Sequence, residues 1–297
     1  MADRFLCLLL LMGQAVAAAA SGGRIVTDDL GQRLDRPDRP LRIVSLAPGA
    51  TEMLFAAGAG VNIVGTAEYS DTPAAARNIA RIGDSQALDV ERIIALTPDV
   101  VVAWPQGNPA GEIDKLRRLA LPIYQQQAAR LAELPDSLLR LGALADSAKP
   151  ARRRAAVLRR EIAALRARYA HAERMKVFIQ IWDQPLYTVG GRHFMSDALS
   201  LCGADNIFSD LAQSAPLVSV EAVIARNPQI IVAAAPQGSA EGWLSSWRRF
   251  PDLDAVAHAR LVGFEDQRFG KLAPSAVNAT AALCQRLSAL VAPPLSP

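Results

Sequence analysis

The sequence predicts an α/β protein of two lobes, each with a parallel sheet, joined by one long helix. Three observations support this prediction. Short apolar strands alternate with helices in both halves of the chain, an amphipathic helical pattern near residues 150–170 interrupts the alternation, and one segment occurs twice, once in each half. The chain of 297 residues is also longer than a typical single domain, which suits two lobes.

The N-terminal residues predict a secretory signal peptide over residues 1–20. An unbroken apolar run from Phe5 to Met12 is followed by small residues that end in Ala18-Ala19-Ala20. This order is typical of a cleaved export signal, and the run is shorter than the roughly 20 apolar residues that a membrane-spanning helix needs. A buried N-terminal helix is the alternative. Because no cysteine follows the run, we expect no lipid anchor.

The first half of the chain alternates strands with helices. An apolar strand at 42–47 leads into Pro48-Gly49-Ala50, and Thr51 is a suitable N-cap for the next helix, which Gly58 ends. The other predicted elements are strands at 62–66, 99–104 and 122–125 and helices at 89–96 and 112–119. Alternation of this kind indicates a parallel sheet covered by helices on both faces.

Residues 150–170 predict the helix that separates the lobes. The apolar residues that form one stripe along this helix are Leu158, Ile162, Leu165 and Tyr169. Arginine and glutamate fill the other positions, and the helix would be about 30 Å long. Alternation resumes with a strand at 176–182. We therefore expect an N-terminal lobe over 21–148, an inter-lobe helix over 149–171 and a C-terminal lobe over 172–297.

Residues 90–103 and 220–233 are two copies of one segment. The sequences VERIIALTPDVVVA and VEAVIARNPQIIVA are identical, without gaps, at seven of fourteen positions. Any α/β protein repeats a helix, a proline break and a strand, which accounts for the apolar positions and the proline. It does not account for Glu91 and Glu221 at the same place. We interpret the pair as a structural duplication, with a ligand cleft between the two lobes.

Composition and motifs exclude several functions. The formal net charge is +3, and no basic block is interleaved with aromatic residues, so nucleic acid is not an expected partner. The sequence contains no G-x-S-x-G, Walker A or G-x-G-x-x-G motif, so we expect no enzyme. His171, His193 and His258 are widely spaced and share no metal-ligand pattern. We therefore expect neither a metal site nor a cofactor.

Two cysteines remain after removal of the predicted signal peptide, Cys202 and Cys284. In an oxidising compartment two cysteines most simply form one disulfide. Two buried free thiols are the alternative, and the sequence spacing does not decide between them.

Several segments resemble the periplasmic binding proteins that serve ABC importers of cobalamin, iron-siderophores and haem. The segments are RIVSLAPGATEMLFAAG, VGTAEYSD, LDVERIIALTPDVVVAW, VFIQIW, LYTVGGRH and LCGADNIF. The resemblance covers residues 42–287 and is strongest to the vitamin B12-binding branch. It implies two Rossmann-like lobes joined by a backbone helix, with the ligand in the cleft between them. It also implies a periplasmic monomer whose partners are the permease and ATPase complex of the inner membrane.

The resemblance also implies roles for individual residues. Glu91 and Glu221, one at the tip of each lobe, would pair with arginines of the permease, and a disulfide would join Cys202 to Cys284. The implied ligand-binding residues are the aromatic residues Tyr69, Trp104 and Trp182 and the small residues of the turn, Pro48, Gly49 and Ala50. A glutamate in the first turn of a helix is also favoured by the helix dipole alone, which is the alternative for the two glutamates.

The chain departs from the vitamin B12-binding branch inside the cleft. Ser85 and the region of Ala215 occupy places where some members have tryptophan, and Gln267 replaces an acidic residue, although Asp266 adjoins it. We expect Ser85, Asp266 and Gln267 to line a less aromatic pocket. These departures leave the ligand open and do not affect the fold.

Two other ligands of the same family remain alternatives. Haem is possible because Tyr69 is a candidate axial ligand of the iron. An iron-siderophore would favour cations in the cleft, for which Arg192 and Arg268 are the candidates.

Overall fold

The computed structural model describes residues 24–84 and 87–290. The predicted signal peptide and Ser85 lie outside the described residues. Among the helices in these two ranges, none combines the length and the apolar character that a membrane span requires.

The N-terminal lobe is a four-stranded parallel sheet with helices on both faces. It is preceded by an antiparallel hairpin of β1 (Arg24–Thr27) and β2 (Arg33–Arg36). The sheet strands are β3 (Ile43–Ser45), β4 (Ile63–Thr66), β5 (Val100–Ala103) and β6 (Ile123–Gln125), in the order β4-β3-β5-β6. The helices are α1 (Pro48–Ala56), α2 (Val90–Ala95), α3 (Ala110–Arg118) and α4 (Leu134–Leu144). Because helices cover both faces, the central strand β5 is apolar throughout.

The start of α1 corrects the prediction for Thr51. The helix begins at Pro48, so Thr51 lies inside it and is not its N-cap. Proline is well suited to the first position of a helix, where its missing N–H costs nothing. The Thr51 hydroxyl instead joins a buried polar cluster, 2.9 Å from Ser45 Oγ and 2.6 Å from Thr66 Oγ1. This cluster ties the first turn of α1 to the ends of β3 and β4.

A 22-residue helix, α5 (Ala148–Tyr169), follows the first sheet. Its buried side is formed by Ala151, Ala155, Leu158, Ile162 and Tyr169, with Leu165 half-buried beside them. A continuous hydrophobic core runs along this side, with members from the first lobe such as Leu138 and from the second such as Val177 and Leu283. The helix is therefore packed against both lobes along its length.

The second lobe repeats the architecture with one antiparallel addition. Its strands are β7 (Met175–Trp182), β8 (Tyr187–Thr188), β9 (Ala204–Asn206), β10 (Ile230–Ala234) and β11 (Leu261–Phe264). Its helices are α6 (Phe194–Leu201), α7 (Val220–Arg226), α8 (Ala240–Ser245), α9 (Asp254–Ala257) and α10 (Pro274–Ala289). The strands β9, β10 and β11 belong to a parallel sheet with β7, as predicted, whereas β8 pairs antiparallel with β7. The connection from β7 to β8 is too short for a crossover, so the chain must return antiparallel.

The duplicated segment forms the same unit twice, α2 followed by β5 and α7 followed by β10. In both copies the residue before the proline has a left-handed backbone, with φ of 43° at Thr97 and 41° at Asn227. A disulfide joins Cys202 to Cys284 and thereby ties α10 to the end of α6. The expected pairing is confirmed, and the alternative of two free thiols is wrong.

Candidate ligand-binding cleft

The carboxyl ends of the parallel strands bring the candidate ligand-binding residues to one edge of each sheet. In the first lobe, the turn at Pro48 follows β3, Tyr69 follows β4 and Trp104 follows β5. In the second lobe, Trp182 ends β7 and Asp266 follows β11. In open α/β sheets this edge is where ligands bind.

A cavity of about 230 Å³ lies between the two lobes. The first lobe contributes Ala47, Pro48, Gly49, Ala50, Trp104, Gln126 and Ala128, and the second contributes Gly270, Lys271 and Leu272. The lobes touch at the turn, since a Cβ on Gly49 would lie 3.6 Å from the Leu272 carbonyl oxygen. Four predicted residues, those of the turn together with Trp104, thus line one cavity.

The Trp104 ring is held by its own loop. Asn108 accepts a hydrogen bond from the Trp104 backbone N–H at 2.7 Å and donates one to the Leu46 carbonyl at 3.0 Å. Gly107 lies against the indole, because a Cβ there would be 1.9 Å from Cζ3 of the ring. The ring is 37% exposed and forms a wall of the inter-lobe cavity. A tryptophan pre-positioned in this way offers a rigid apolar face.

A second cavity, of about 410 Å³, adjoins the first on the side of the C-terminal lobe. Its walls are Ile181, Trp182, His193, Met195, Ala234, Ala235, Pro236, Phe264, Asp266, Gln267, Phe269 and Gly270. Gly270 lines both cavities, so they are adjacent parts of one cleft. Trp182 is 51% exposed, donates from Nε1 to the Gln184 carbonyl at 3.2 Å and packs edge-on against Trp243. Each lobe therefore contributes one exposed tryptophan to the cleft.

Two basic residues at the cleft, Lys271 in its lining and Arg268 between the lining residues Gln267 and Phe269, are paired with neighbouring carboxylates. Arg268 donates to both carboxylate oxygens of Asp266, at 2.8 and 2.6 Å, and this pairing lowers the pKa of Asp266. Lys271 Nζ lies 3.0 Å from Oε2 of buried Glu52. The cleft therefore offers paired charges and not a surplus of positive charge.

His193 adds a neutral ring to the cleft wall. Its Nδ1 accepts a hydrogen bond from the Met195 N–H at 3.2 Å, capping α6. Burial lowers the pKa of His193 to about 4. The ring is thus uncharged near neutral pH, and since Nδ1 accepts, the proton of the neutral ring is on Nε2.

Glu91 and Glu221 lie at equivalent positions of the duplicated segment, and neither lines the two cavities. Glu91 and Glu221 are both exposed, in the first turns of α2 and α7. A side chain caps the first turn of each helix. The Asp89 carboxylate accepts a hydrogen bond from the Arg92 N–H, and the Ser219 hydroxyl oxygen accepts one from the Ala222 N–H. The pKa of Glu221 is lowered by hydrogen bonds from its own backbone N–H and from the Ser219 hydroxyl. Both residues remain exposed to solvent.

Comparison with known proteins identifies the family. A model described as "Periplasmic binding protein" matches residues 43–267. The chain belongs to this family. It is 32% identical over 249 residues to the vitamin B12-binding protein of Vibrio parahaemolyticus serotype O3:K6, covering 84% of this chain and 90% of the relative. It is also 32% identical over 252 residues to the vitamin B12-binding protein of Yersinia pestis strain Pestoides F, covering 85% and 88%.

Solved structures agree with this assignment. The periplasmic vitamin B12-binding protein BtuF of Vibrio cholerae has a TM-score of 0.78 and 33% identity, covering 86% of this chain and 99% of its own. The periplasmic haem-binding protein HutB of Vibrio cholerae, with a TM-score of 0.68 and 20% identity over 83% and 98%, shares the fold. These relatives are binding proteins and not enzymes.

Three predicted residues of this periplasmic binding protein, Tyr69, Arg192 and Arg268, line neither of the two cavities. Tyr69 lines neither, is 79% exposed and has a left-handed backbone with φ of 62°. Arg192 lines a separate polar cavity beside Arg130 and Asp197. Ser85 lies outside the described residues.

Other cleft residues were not predicted. Gln126 follows the predicted strand at 122–125. The end of that strand alone could have indicated that Gln126 lies at the binding edge of the sheet. Lys271 and Leu272 follow a short 3-10 turn and carry no motif. His193 was not predicted as a cleft residue; it caps α6 and also lines the cleft.

Proposed function

We propose that this protein captures a corrinoid, vitamin B12 or a close relative, in the periplasm and delivers it to the permease and ATPase complex of an ABC importer. The export signal predicted from the sequence supports the location, and the names of its relatives support the ligand. The single observation that carries the proposal is the pair of exposed tryptophans, Trp104 and Trp182, on a cleft whose basic residues are already paired.

The two tryptophans favour a large flat ligand. Tryptophan has the largest apolar surface of any side chain, and leaving it half-exposed in a cleft forgoes hydrophobic stabilisation. A rigid macrocycle that spans the adjacent cavities would cover both rings at once. Because one ring belongs to each lobe, such a ligand would also bridge the lobes.

The paired charges favour a ligand without a large negative charge. An iron-siderophore would need unpaired cations, whereas Arg268 is held by Asp266 and Lys271 by Glu52. To bind a strongly anionic chelate, these ion pairs would first have to break at the cost of leaving buried Glu52 uncompensated. A corrin with amide side chains needs only hydrogen-bonding groups, such as Gln126, Gln267 and the neutral His193.

Haem is the second candidate, supported by the family and by Tyr69 as a potential axial ligand. In the described residues Tyr69 is at the correct sheet edge but lines neither cavity. The carboxylate of Asp266, which lines the second cavity, would also oppose the negatively charged propionates of a haem bound there. Both observations favour the corrinoid.

Substitution of the tryptophans tests the ligand. Trp104→Ala and Trp182→Ala should each weaken the binding of cyanocobalamin about tenfold, because each loses one aromatic contact. Tyr69→Phe is the matched control, since it removes only an oxygen that an iron would need. Calorimetric titration with cyanocobalamin should show no effect of Tyr69→Phe. If Tyr69→Phe abolishes binding of haemin and the tryptophan variants bind cyanocobalamin no differently from the unaltered protein, the corrinoid proposal fails.

We further propose that Glu91 and Glu221 dock the protein on its permease. The two carboxylates are exposed and carried by equivalent helices, one in each lobe, and carboxylates pair with arginine directionally. Glu91→Arg together with Glu221→Arg should abolish uptake and leave the affinity for cyanocobalamin unchanged. Loss of both uptake and cyanocobalamin affinity would indicate a folding defect and contradict a docking role.

A further inference from the structure

The duplicated segment also exposes an isoleucine in each lobe. Ile94 is 43% exposed on α2 and Ile224 is 37% exposed on α7, although isoleucine is among the residues most often buried. Each isoleucine lies three positions after the glutamate of its own helix. The isoleucine and glutamate side chains are therefore neighbours on one helix face. Both lobes therefore present a carboxylate beside an apolar side chain.

Packing within the lobes does not explain these two isoleucines. The helices use other residues for the core, Val90 and Ile93 in α2 and Val223 in α7. Val102, Ala103 and their counterparts in β10 are identical in the two copies because each is buried in its sheet. The two copies also share isoleucine at 94 and 224, although neither of these side chains is buried.

The identity is confined to one part of the exposed surface. Between Glu91 and Ile94, the exposed Arg92 corresponds to Ala222 in the second copy, so this position is free to differ. The exposed residue after each isoleucine is alanine in both copies, which leaves the isoleucine uncovered. What the two lobes share on this face is the glutamate, the isoleucine and the small residue beside it.

We propose that each glutamate and isoleucine form one docking unit, in which the isoleucine enters an apolar pocket of the permease next to the cation that meets the glutamate. This inference rests on the proposed docking of the glutamates and adds a second contact to it. An exposed ion pair alone contributes little, because water and salt screen it. An apolar side chain that excludes water from the ion pair strengthens the pair. Burial of that side chain also contributes favourable free energy of its own.

The partner must present the same surface twice. The two units have the same chemistry and lie on equivalent helices, one in each lobe. A partner with two copies of one basic and apolar surface is therefore the occupant that fits both. A lipid headgroup surface would meet the glutamates with negative charge and is disfavoured.

Uptake into spheroplasts tests this docking unit. Spheroplasts from cells that lack the gene for this protein receive the purified protein and radiolabelled cyanocobalamin, and uptake is measured against protein concentration. Ile94→Ser together with Ile224→Ser should raise the half-saturating protein concentration about tenfold, as expected for loss of two interface anchors. Ile94→Val together with Ile224→Val should keep most of the activity, because it retains an apolar side chain.

Val61→Ser is the matched control. Val61 is 96% exposed in the same lobe, but it lies before β4, at the opposite edge of the sheet from the cleft. Its replacement should leave uptake unchanged, and calorimetry should give the same cyanocobalamin affinity for every variant.

Two outcomes separate this inference from the proposed function. If the double serine variant drives uptake at the same concentration as the unaltered protein while the double arginine variant of the glutamates fails, the isoleucines have no docking role and the proposed function stands. If the glutamate variant also drives normal uptake, docking through these helices is wrong altogether. Equal effects of Val61→Ser and of the isoleucine substitutions would likewise overturn the inference.

Discussion

Glu52 in α1 joins the two lobes, and its removal should measurably destabilise the protein. Its buried carboxylate accepts a hydrogen bond from the Ser275 N–H at 2.7 Å and one from the Ser275 hydroxyl at 2.8 Å. Ser275 is the second residue of α10, so a side chain of the first lobe caps a helix of the second. Lys271 Nζ, 3.0 Å away, balances the charge.

The size of the effect follows from these three contacts. Glu52→Ala removes a cap from α10, a loss of about 1 kcal/mol. It also leaves Lys271 without its buried partner, which costs about 2 kcal/mol more after allowance for the partial exposure of the lysine. We expect the free energy of unfolding to fall by about 3 kcal/mol. Glu52→Gln should cost less, about 1.5 kcal/mol, because the amide oxygen still accepts from Ser275.

Urea unfolding followed by circular dichroism measures this difference. The matched control is Asp114→Asn, which breaks an exposed ion pair with Arg117 and should change the free energy by less than about 0.5 kcal/mol. In a double-mutant cycle with Lys271→Met, the effects of Glu52→Gln and Lys271→Met should be non-additive by about 1 kcal/mol. If Glu52→Ala is no more harmful than Asp114→Asn, the inter-lobe contact does not stabilise the protein as reasoned here.

Three further predictions concern pH, oxidation and the position of a cleft ring. His193 has a native pKa of about 4, below the value of 6.5 in the unfolded chain, so the unfolded state binds more protons between these values. Stability should fall as the pH drops from 6.5 to 4, and His193→Gln should remove about 3 kcal/mol of that fall in urea unfolding. Replacing Cys202 and Cys284 by alanine opens a link between residues 82 positions apart and should cost about 4 kcal/mol in the same assay. Gly107→Ala should push the Trp104 ring aside and weaken cyanocobalamin binding about fivefold, measured by calorimetry.

Each of these predictions has a result that contradicts it. The histidine prediction is wrong if the unaltered protein and His193→Gln lose the same stability between pH 6.5 and 4. Comparable urea midpoints with and without the disulfide would show that the link does not restrain the unfolded chain. Gly111→Ala is the control for Gly107, because a Cβ at Gly111 meets nothing within 4 Å. Equal affinities for both glycine variants would contradict the role given to the Trp104 loop.

The strands of the parallel sheets and the long helix were predictable because their patterns are local. Apolar runs such as 99–104 mark strands buried on both faces, and the stripe ending at Tyr169 marks one side of α5. The β1–β2 hairpin, β8, β9 and β11 were not predicted as individual strands. The hairpin is short and charged, with exposed residues that carry no apolar alternation, and β8 has only two residues.

The cleft was only partly predictable, for a different reason. Trp104 and the turn at Pro48 end apolar strands, and the carboxyl ends of strands indicate a binding edge. Lys271 and Glu52 meet across the lobes, more than two hundred residues apart in sequence, and no local pattern reports such a contact. Thr51 shows a related limit, since its N-cap character was outweighed by Pro48 and by a buried polar cluster.

Binding of the solute tests the central claim most directly. The purified protein would be titrated by calorimetry with cyanocobalamin, haemin and a ferric siderophore under the same conditions. The exposed tryptophans and paired cleft charges predict one-to-one binding of cyanocobalamin at micromolar or tighter affinity, with weaker or no binding of the other two. Micromolar or tighter binding of haemin with no response to cyanocobalamin would contradict the account.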